Sequence, residues 1–337
     1  MKPKSINSLM AYMRDEKKIN IYGSLQKRQL RNMGYYHGYK GYRYCGSPNQ
    51  ILLYTDFKQI KAVYDFDMKI KSIFYPQIMF LETTIKNYSL EIILNEVNSD
   101  RFVDVYTKLM NNYKSYPFNS KKYKTAITKK MSMRNKIYGN IARDYGKNNI
   151  IKHYYDKDKP VPIWAIFEIL SLGEFGNFFS CLNKTVRIKI SKSVGIKSSV
   201  DSNGEMIENI VFALKDLRNA IAHNNTIFDT RFKSNKINGV ISKYISMETG
   251  IKNINFQNIT DYLILISFVM KLLKCNRTDI IALINQFNNE CEDLRKQIPM
   301  NIFSKIVYTD TKGKLRDLKN FYNYSNPLEF FFILFYN

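Results

Sequence analysis

The sequence predicts an all-α protein, and three observations lead to this prediction. Glycine and proline are scarce, with 14 and 8 residues in a chain of 337, which disfavours turn-rich sandwiches and barrels. Apolar residues recur at intervals of three and four along much of the chain. Hydrophobic residues make up 45% of the sequence, enough to build ordinary cores. The length is sufficient for two domains, or for one domain enlarged by an insertion.

Residues 1–55 form a basic amino-terminal segment rich in tyrosine and glycine. A helix is predicted at about 24–33, beginning at Ser24 and ending at Gly34. Residues 56–100 continue with a helical pattern and form the first part of the predicted core. Pro76 is expected to separate two helices there, because proline disrupts a helix interior.

Residues 101–160 are predicted to be a basic helical insertion. Its stretch 108–159 holds fourteen lysines and arginines but only three acidic residues, a net charge of +11, with tyrosines interleaved. One interpretation is an RNA-binding surface, and the other is a lysine-rich helix pair exposed to solvent. The first interpretation would use Lys121, Lys122, Lys124, Lys129 and Lys130.

Residues 161–300 are predicted to complete the core, and 301–337 to form a hydrophobic carboxyl-terminal segment. Pro162 opens a helix whose apolar stripe extends to Leu172, before Gly173. The four residues 202–205 (SNGE) have the pattern of a capping box and start a long helix. Residues 226–257 are expected to be irregular, and two further helices are expected at 258–275 and 279–297.

The charge balance indicates the partner. With 52 lysines and arginines against 29 acidic residues, the chain carries a net charge of +23, and nucleic acid leads the possible partners. Four dispersed cysteines favour a reducing compartment, and the amino-terminal sequence lacks an export signal, so a cytoplasmic location is expected. The most apolar stretch, 330–336, is far shorter than a membrane span, so we expect no membrane association and instead a core or subunit contact.

A polar arc follows the last turns of the long helix. Lys215, Asn219 and His223 recur every fourth residue, and Arg218 lies beside that row. Fixed positive charge, an imidazole and an amide suit phosphodiester cleavage by the ribose 2′-hydroxyl without a metal. The alternative is structural, since basic side chains at a helix carboxyl terminus oppose the helix dipole. The three histidines lack metal-ligand spacing, so neither a metal nor another cofactor is expected.

Three carboxylates occupy positions that helical spacing assigns to apolar faces: Asp67, Glu82 and Glu168. A buried acid needs a partner. A structural ion pair with Arg43 or another base is the favoured interpretation for each, and a supporting role at the His223 site is the alternative.

Several separated segments together resemble the bacterial abortive-infection proteins of the AbiD/AbiF type, whose core is similar to HEPN ribonucleases. They are GYYHGYKGY (34–42), YDFD (64–67), FLETTIKN (80–87), PIWAIFEILSLGEFGNFF (162–179) and LRNAIAHNNTIF (217–228). The HEPN pattern of an arginine, four to six residues and a histidine is met by Arg218 and His223, with Asn219 as the polar residue after the arginine. His37 departs from the first motif, so no RNA contact is transferred to it.

The resemblance implies a HEPN-like helical bundle and a metal-independent endoribonuclease that acts in phage defence as a toxin. It further implies a composite site in a homodimer and, in some relatives, restraint by a small non-coding RNA. Two other functions remain open: an RNA-binding module without catalysis, and a structural interaction protein.

Overall fold

A computed structural model of the chain describes residues 5–234, 237 and 239–323. Within them the protein is all-α, as predicted, and β-pairing is limited to three isolated bridges. The hydrophobic stretch 330–336 lies outside the described residues. A π-helix covers Tyr35–Lys40 and a 3₁₀-helix covers Asn112–Ser115. The α-helices are α1 (Ile6–Asp15), α2 (Gly23–Met33), α3 (Phe57–Val97), α4 (Phe102–Lys108), α5 (Lys121–Asp144), α6 (Asn149–Tyr155), α7 (Ile163–Ile169), α8 (Leu172–Cys181), α9 (Lys184–Ser193), α10 (Met206–Ala222), α11 (Gly239–Thr249), α12 (Ile259–Leu272), α13 (Arg277–Gln297), α14 (Met300–Ile306) and α15 (Thr311–Asn323).

The chain divides into two compact units. Unit 1 comprises Met1–Ile78 and Asp216–Asn337, and unit 2 comprises Met79–Lys215. The boundaries fall inside α3 and α10, so each of these helices contributes residues to both units.

Unit 1 is organised around α12. Every residue from Ile259 to Met270 is buried, as expected of a helix that is packed on all sides. Helices α13 and α15 both pack against it. The buried carboxylate of Asp261 lies 2.8 Å from the ammonium of Lys314, which satisfies a charge inside this core.

Unit 2 is organised around α5, which packs against α7, α8 and the 3₁₀-helix. Helix α8 contributes three completely buried rings, those of Phe175, Phe178 and Phe179. Its start is fixed by a capping box between Ser171 and Glu174.

The prediction that Pro76 separates two helices is wrong, because α3 continues unbroken through it. An interior proline removes one backbone hydrogen bond and crowds the preceding turn. Phe74 and Ile78 on either side are completely buried, and this packing holds the helix across the defect.

The predicted capping box at 202–205 is also wrong. Helix α10 begins at Met206, and its first amides are capped from further upstream by the buried carboxylate of Asp201. This carboxylate accepts hydrogen bonds from the amides of Glu205 at 2.8 Å and Met206 at 3.2 Å. Gly204 has a φ of +66°, so the residues between form a turn.

Two other helix boundaries differ from prediction. The helix opened by Pro162 ends at Ile169, and Leu172 and Gly173 belong to the next helix, because the Ser171 cap restarts the chain there. Helix α11 occupies part of the segment 226–257 that was expected to be irregular. Over the residues described, no helix is both long and apolar enough to cross a membrane.

Candidate functional site

The end of α10 is built by a Schellman motif that holds His223 at the helix C-cap. The amide of Asn225 donates to the carbonyl of Ala220 at 2.8 Å, and that of Asn224 donates to Ile221 at 3.0 Å. Asn224 has the left-handed φ of 53° that this motif requires, and asparagine tolerates it better than most residues. The HNN sequence therefore fixes where the histidine sits.

The predicted polar arc is present at this helix end. The amide of His223 donates to the carbonyl of Asn219 at 3.0 Å, so the helical hydrogen-bond pattern reaches the histidine. Asn219 and His223 are exposed, and Arg218 is half-buried. The end of α10 thus carries a guanidinium and an imidazole that are five residues apart in the chain.

Lys215, which begins the arc, lies in unit 2 and is half-buried. Its stem packs close to the backbone of Gly173, where a Cβ added to the glycine would lie 3.0 Å from the lysine Cδ. The stem is therefore part of the packing around α8, and its contribution to a phosphate site remains a prediction.

Asp67 stabilises the loop that follows His223. Its carboxylate accepts hydrogen bonds from the amides of Ile227 at 2.8 Å and Phe228 at 2.9 Å. The hydroxyl of Tyr42 donates to its other oxygen at 2.8 Å, and the ammonium of Lys71 lies 2.7 Å from that same oxygen. Asp67 is completely buried, and its charge is neutralised inside this network.

Lys71 links this network to the residue after the histidine. Its ammonium donates to the side-chain oxygen of Asn224 at 3.0 Å. The base that pairs with Asp67 is thus Lys71 rather than Arg43, and a supporting role of Asp67 at the His223 site stays a prediction. Burial is the largest cause that raises the pKa of Tyr42 well above its ordinary value. The negative charge of Asp67 and the hydrogen bond to its carboxylate raise this pKa further.

The other two acids lie in unit 2. Glu82 is buried and pairs with Lys86 at 2.9 Å, while Lys86 also donates to the carbonyl of Leu170 at 2.7 Å. Glu168 is exposed, so its predicted place on an apolar face is wrong. Five of the seven residues of α7 are buried, and Glu168 takes the sector of the helix that faces solvent.

Eight of the fourteen basic residues of the tract lie on α5. Lys121, Lys122 and Lys124 are exposed, whereas Lys129 and Lys130 are half-buried. Two cavities, of about 960 and 520 Å³, lie along this helix and share Lys121 and Lys129 in their walls. Exposure alone does not distinguish the two interpretations of the tract, because exposed lysines fit both an RNA-binding surface and a solvated helix pair.

The half-buried lysines already have partners. The ammonium of Lys130 lies 4.3 Å from the ring centre of Tyr106 and 5.2 Å from that of Tyr113, and burial lowers its pKa. Lys129 lies 3.7 Å from the carboxylate of Glu208. The exposed lysines at the start of α5 are consequently the better candidates for phosphate contacts.

Metal-ligating side chains do not cluster in the described part of the chain: no group of three or more histidines, cysteines or carboxylates is placed to hold an ion.

Sequence reasoning missed a cavity of about 440 Å³ in unit 1. It is lined by residues of the π-helix, including His37 and Lys40, and by residues that directly follow His223, including Asn224 and Asn225. The motif GYYHGYKGY contains the lining residues Tyr36, His37 and Lys40. Because His37 departs from the family motif, no ligand contact was predicted for this segment.

The sequence model of a protein family described as Abi-like protein matches residues 28–229. All five segments that carry the resemblance lie within this range, and so do α5 and the end of α10. Comparisons with curated proteins and with solved structures gave no match.

Proposed function

We propose that this chain, which belongs to the Abi-like protein family, is a metal-independent endoribonuclease that acts in abortive infection. The family membership supports the defence role. The observation that supports the chemistry is the end of α10, where Arg218, Asn219 and His223 share one helix terminus and the imidazole is exposed.

The proposed reaction is an attack of the ribose 2′-hydroxyl on the adjacent phosphorus. One His223 accepts the 2′ proton while the new O–P bond forms. The bond to the 5′ oxygen breaks, and that oxygen takes a proton from a second, protonated histidine. The products are a 2′,3′-cyclic phosphate and a 5′-hydroxyl.

Arg218 has the side chain best suited to the non-bridging oxygens, because a guanidinium can bind two of them in one plane. Asn219, one turn before the histidine, orients the imidazole. A single α10 supplies one histidine, so the proposal includes a homodimer in which the second copy supplies the acid.

The exposed lysines of α5 provide the proposed RNA-binding surface. Lys121, Lys122 and Lys124 lie together at the start of the helix, and Tyr123 between them in sequence contacts the rings of Tyr113 and Phe118. Cations bind phosphates, and exposed rings stack with bases. A small non-coding RNA that restrains the enzyme is a further part of the proposal and would use the same surface.

The test compares cleavage of single-stranded RNA by the full chain with cleavage by the His223→Ala variant. We expect the wild-type activity to survive EDTA, to leave cyclic phosphate ends and to spare DNA. Loss of the imidazole should reduce the rate about 10²- to 10⁴-fold. Arg218→Lys should also remain impaired, because lysine lacks the planar fork.

The matched control is His153→Ala, since His153 is an exposed histidine in unit 2, away from α10 in sequence. It should retain wild-type activity. Products with 5′-phosphates, or activity that magnesium restores after chelation, would refute the mechanism. RNA binding without cleavage, unchanged in His223→Ala, would instead favour the non-catalytic RNA-binding module.

A further inference from the structure

The 440 Å³ cavity of unit 1 has a strongly asymmetric charge. Four side chains in its wall are basic: His37, Lys40, Arg43 and Arg231. The complete lining contains no aspartate or glutamate. The cavity volume lies within the ~300–1,000 Å³ typical of ligand pockets. Such a cavity favours an anion.

Lys40 and Arg43 differ from Arg231 in whether a carboxylate already pairs with them. Arg231 is already in an ion pair, because its guanidinium donates to both oxygens of Asp229, at 2.8 and 2.7 Å. Lys40 and Arg43 are exposed, and in the described residues neither pairs with a carboxylate. Their neighbours are aromatic rings: the Lys40 ammonium lies 5.7 Å from the centre of Tyr35, and the Arg43 guanidinium lies 5.8 Å from that of Tyr44. The positive potential at the cavity mouth is therefore not cancelled locally.

The wall also offers an aromatic face. Tyr36 is 71% exposed, and its ring stands nearly perpendicular to that of His37, with ring centres 5.3 Å apart, so most of the tyrosine side chain is accessible to a ligand. Tyr44 is already covered by the guanidinium of Arg231, 4.1 Å from its ring centre. A flat ligand can stack on Tyr36, and the amides of Asn224 and Asn225 can hydrogen-bond to its edge.

The sequence builds this cavity by close approach of two segments. A Cβ on Gly41 would lie 3.2 Å from the methyl group of Thr226, and one on Gly38 would lie 2.8 Å from the Cβ of Met33. Side chains at these glycines would displace the π-helix from its neighbours. π-Helical turns are rare and are frequently found at functional sites.

Both walls are bound to the same buried carboxylate. Tyr42, two residues after the π-helix, and Ile227, one residue after Thr226, each donate to Asp67. Both walls of the cavity are therefore fixed to one point of the fold.

We infer that this cavity binds a single nucleotide of the RNA substrate, with its phosphate at Lys40 and Arg43 and its base against Tyr36. The inference rests on the proposed function, because the wall at Asn224 adjoins His223 in the chain. A nucleotide held there lies next to the one whose phosphate is cleaved, and the cavity contributes to the choice of cleavage position.

The test measures binding of a fluorescent single-stranded RNA to the full chain in a His223→Ala background, which prevents cleavage. Adenosine 5′-monophosphate and inorganic phosphate serve as competitors. We expect Tyr36→Ala to weaken RNA binding about 5- to 150-fold, the range expected for loss of one stacked base, and Tyr36→Phe to restore it. The mononucleotide should compete better than phosphate, and Lys40→Gln with Arg43→Gln should abolish its competition.

Tyr75→Ala is the matched control, because Tyr75 is also an exposed tyrosine of unit 1 and does not line the cavity. Unchanged RNA affinity in Tyr36→Ala, or no competition by the mononucleotide, would overturn the inference. If binding depends on Tyr36 but the wild-type chain cleaves no RNA, the inference stands and the proposed function fails. If the chain cleaves RNA to cyclic phosphates and Tyr36→Ala binds normally, the proposed function stands and the inference fails.

Discussion

Replacement of Asp67 tests whether the buried carboxylate positions the end of α10. In Asp67→Ala, two backbone amides and the hydroxyl of Tyr42 lose their acceptor, and the buried ammonium of Lys71 loses its counter-ion. Removal of one partner from a buried ion pair costs about 3–5 kcal/mol. Asp67→Asn keeps an acceptor oxygen for the two amides, but Lys71 still loses its counter-ion, so its cost should lie at the lower end of this range, about 3 kcal/mol.

Asp65 is the matched control, because it belongs to the same YDFD motif and pairs with Lys61, and both side chains of that pair are partly exposed to solvent. Asp65→Asn should cost at most about 1 kcal/mol. Denaturant unfolding followed by far-ultraviolet circular dichroism measures the free energies. Fluorescence of Trp164 reports on unit 2, so hydrogen exchange of residues 224–231 is the local readout for unit 1.

We expect the amides of Ile227 and Phe228 to exchange much faster in Asp67→Ala, because their acceptor is gone. The variant should also lose ribonuclease activity if the loop positions His223. Equal destabilisation by the Asp65 and Asp67 substitutions, or unchanged protection of these two amides, would refute the reasoning.

Two other predictions concern α5 and the cysteines. Glutamine at Lys121, Lys122 and Lys124 should reduce the slope of log K for RNA against log salt by about 0.7 for each lost contact, or about 2 in total. Glutamine at the exposed residues Lys17, Lys58 and Lys274 should leave the slope unchanged, and equal effects of the two sets would place the RNA elsewhere. Burial raises the pKa of the Cys181 thiol to about 11, so roughly a thousandth of it is thiolate at pH 8, and its alkylation should accelerate about tenfold per pH unit up to that pKa. Mass spectrometry should show the half-buried Cys275 reacting first, and equal rates would contradict this expectation.

Helices with strong end signals could be predicted from the sequence. Helix α2 ends where Gly34 adopts a φ of 73°, a conformation that glycine adopts without strain. Helices α12 and α13 follow their apolar periodicity to within a few residues of the predicted bounds. In these cases the local signal and the tertiary packing agree.

The failures occur where a distant contact overrides a local rule. Pro76 does not end α3, since packing on both sides of it outweighs its local effect. The capping box at 202–205 loses to Asp201, whose carboxylate is oriented by a hydrogen bond from Ser191 at 2.7 Å. No pattern within a ten-residue window contains that partner. Glu168 lies four residues after Trp164, which is itself only half-buried, so helical spacing from this tryptophan does not mark a buried face.

Residue spacing alone predicted the polar arc of α10, but it does not show what holds the loop that follows His223. The structure shows that three of the separated resemblance segments meet at one carboxylate: Tyr42 from the first, Asp67 from the second, and Ile227 and Phe228 from the last. Phosphate binding by basic side chains alone tolerates small displacements, because the attraction between opposite charges changes only gradually with distance. A general base needs a fixed position, since small displacements of a proton carrier reduce its rate strongly. The buried network that immobilises the residues after His223 therefore favours catalysis over simple phosphate binding, and the Asp67 and His223 variants together test that preference.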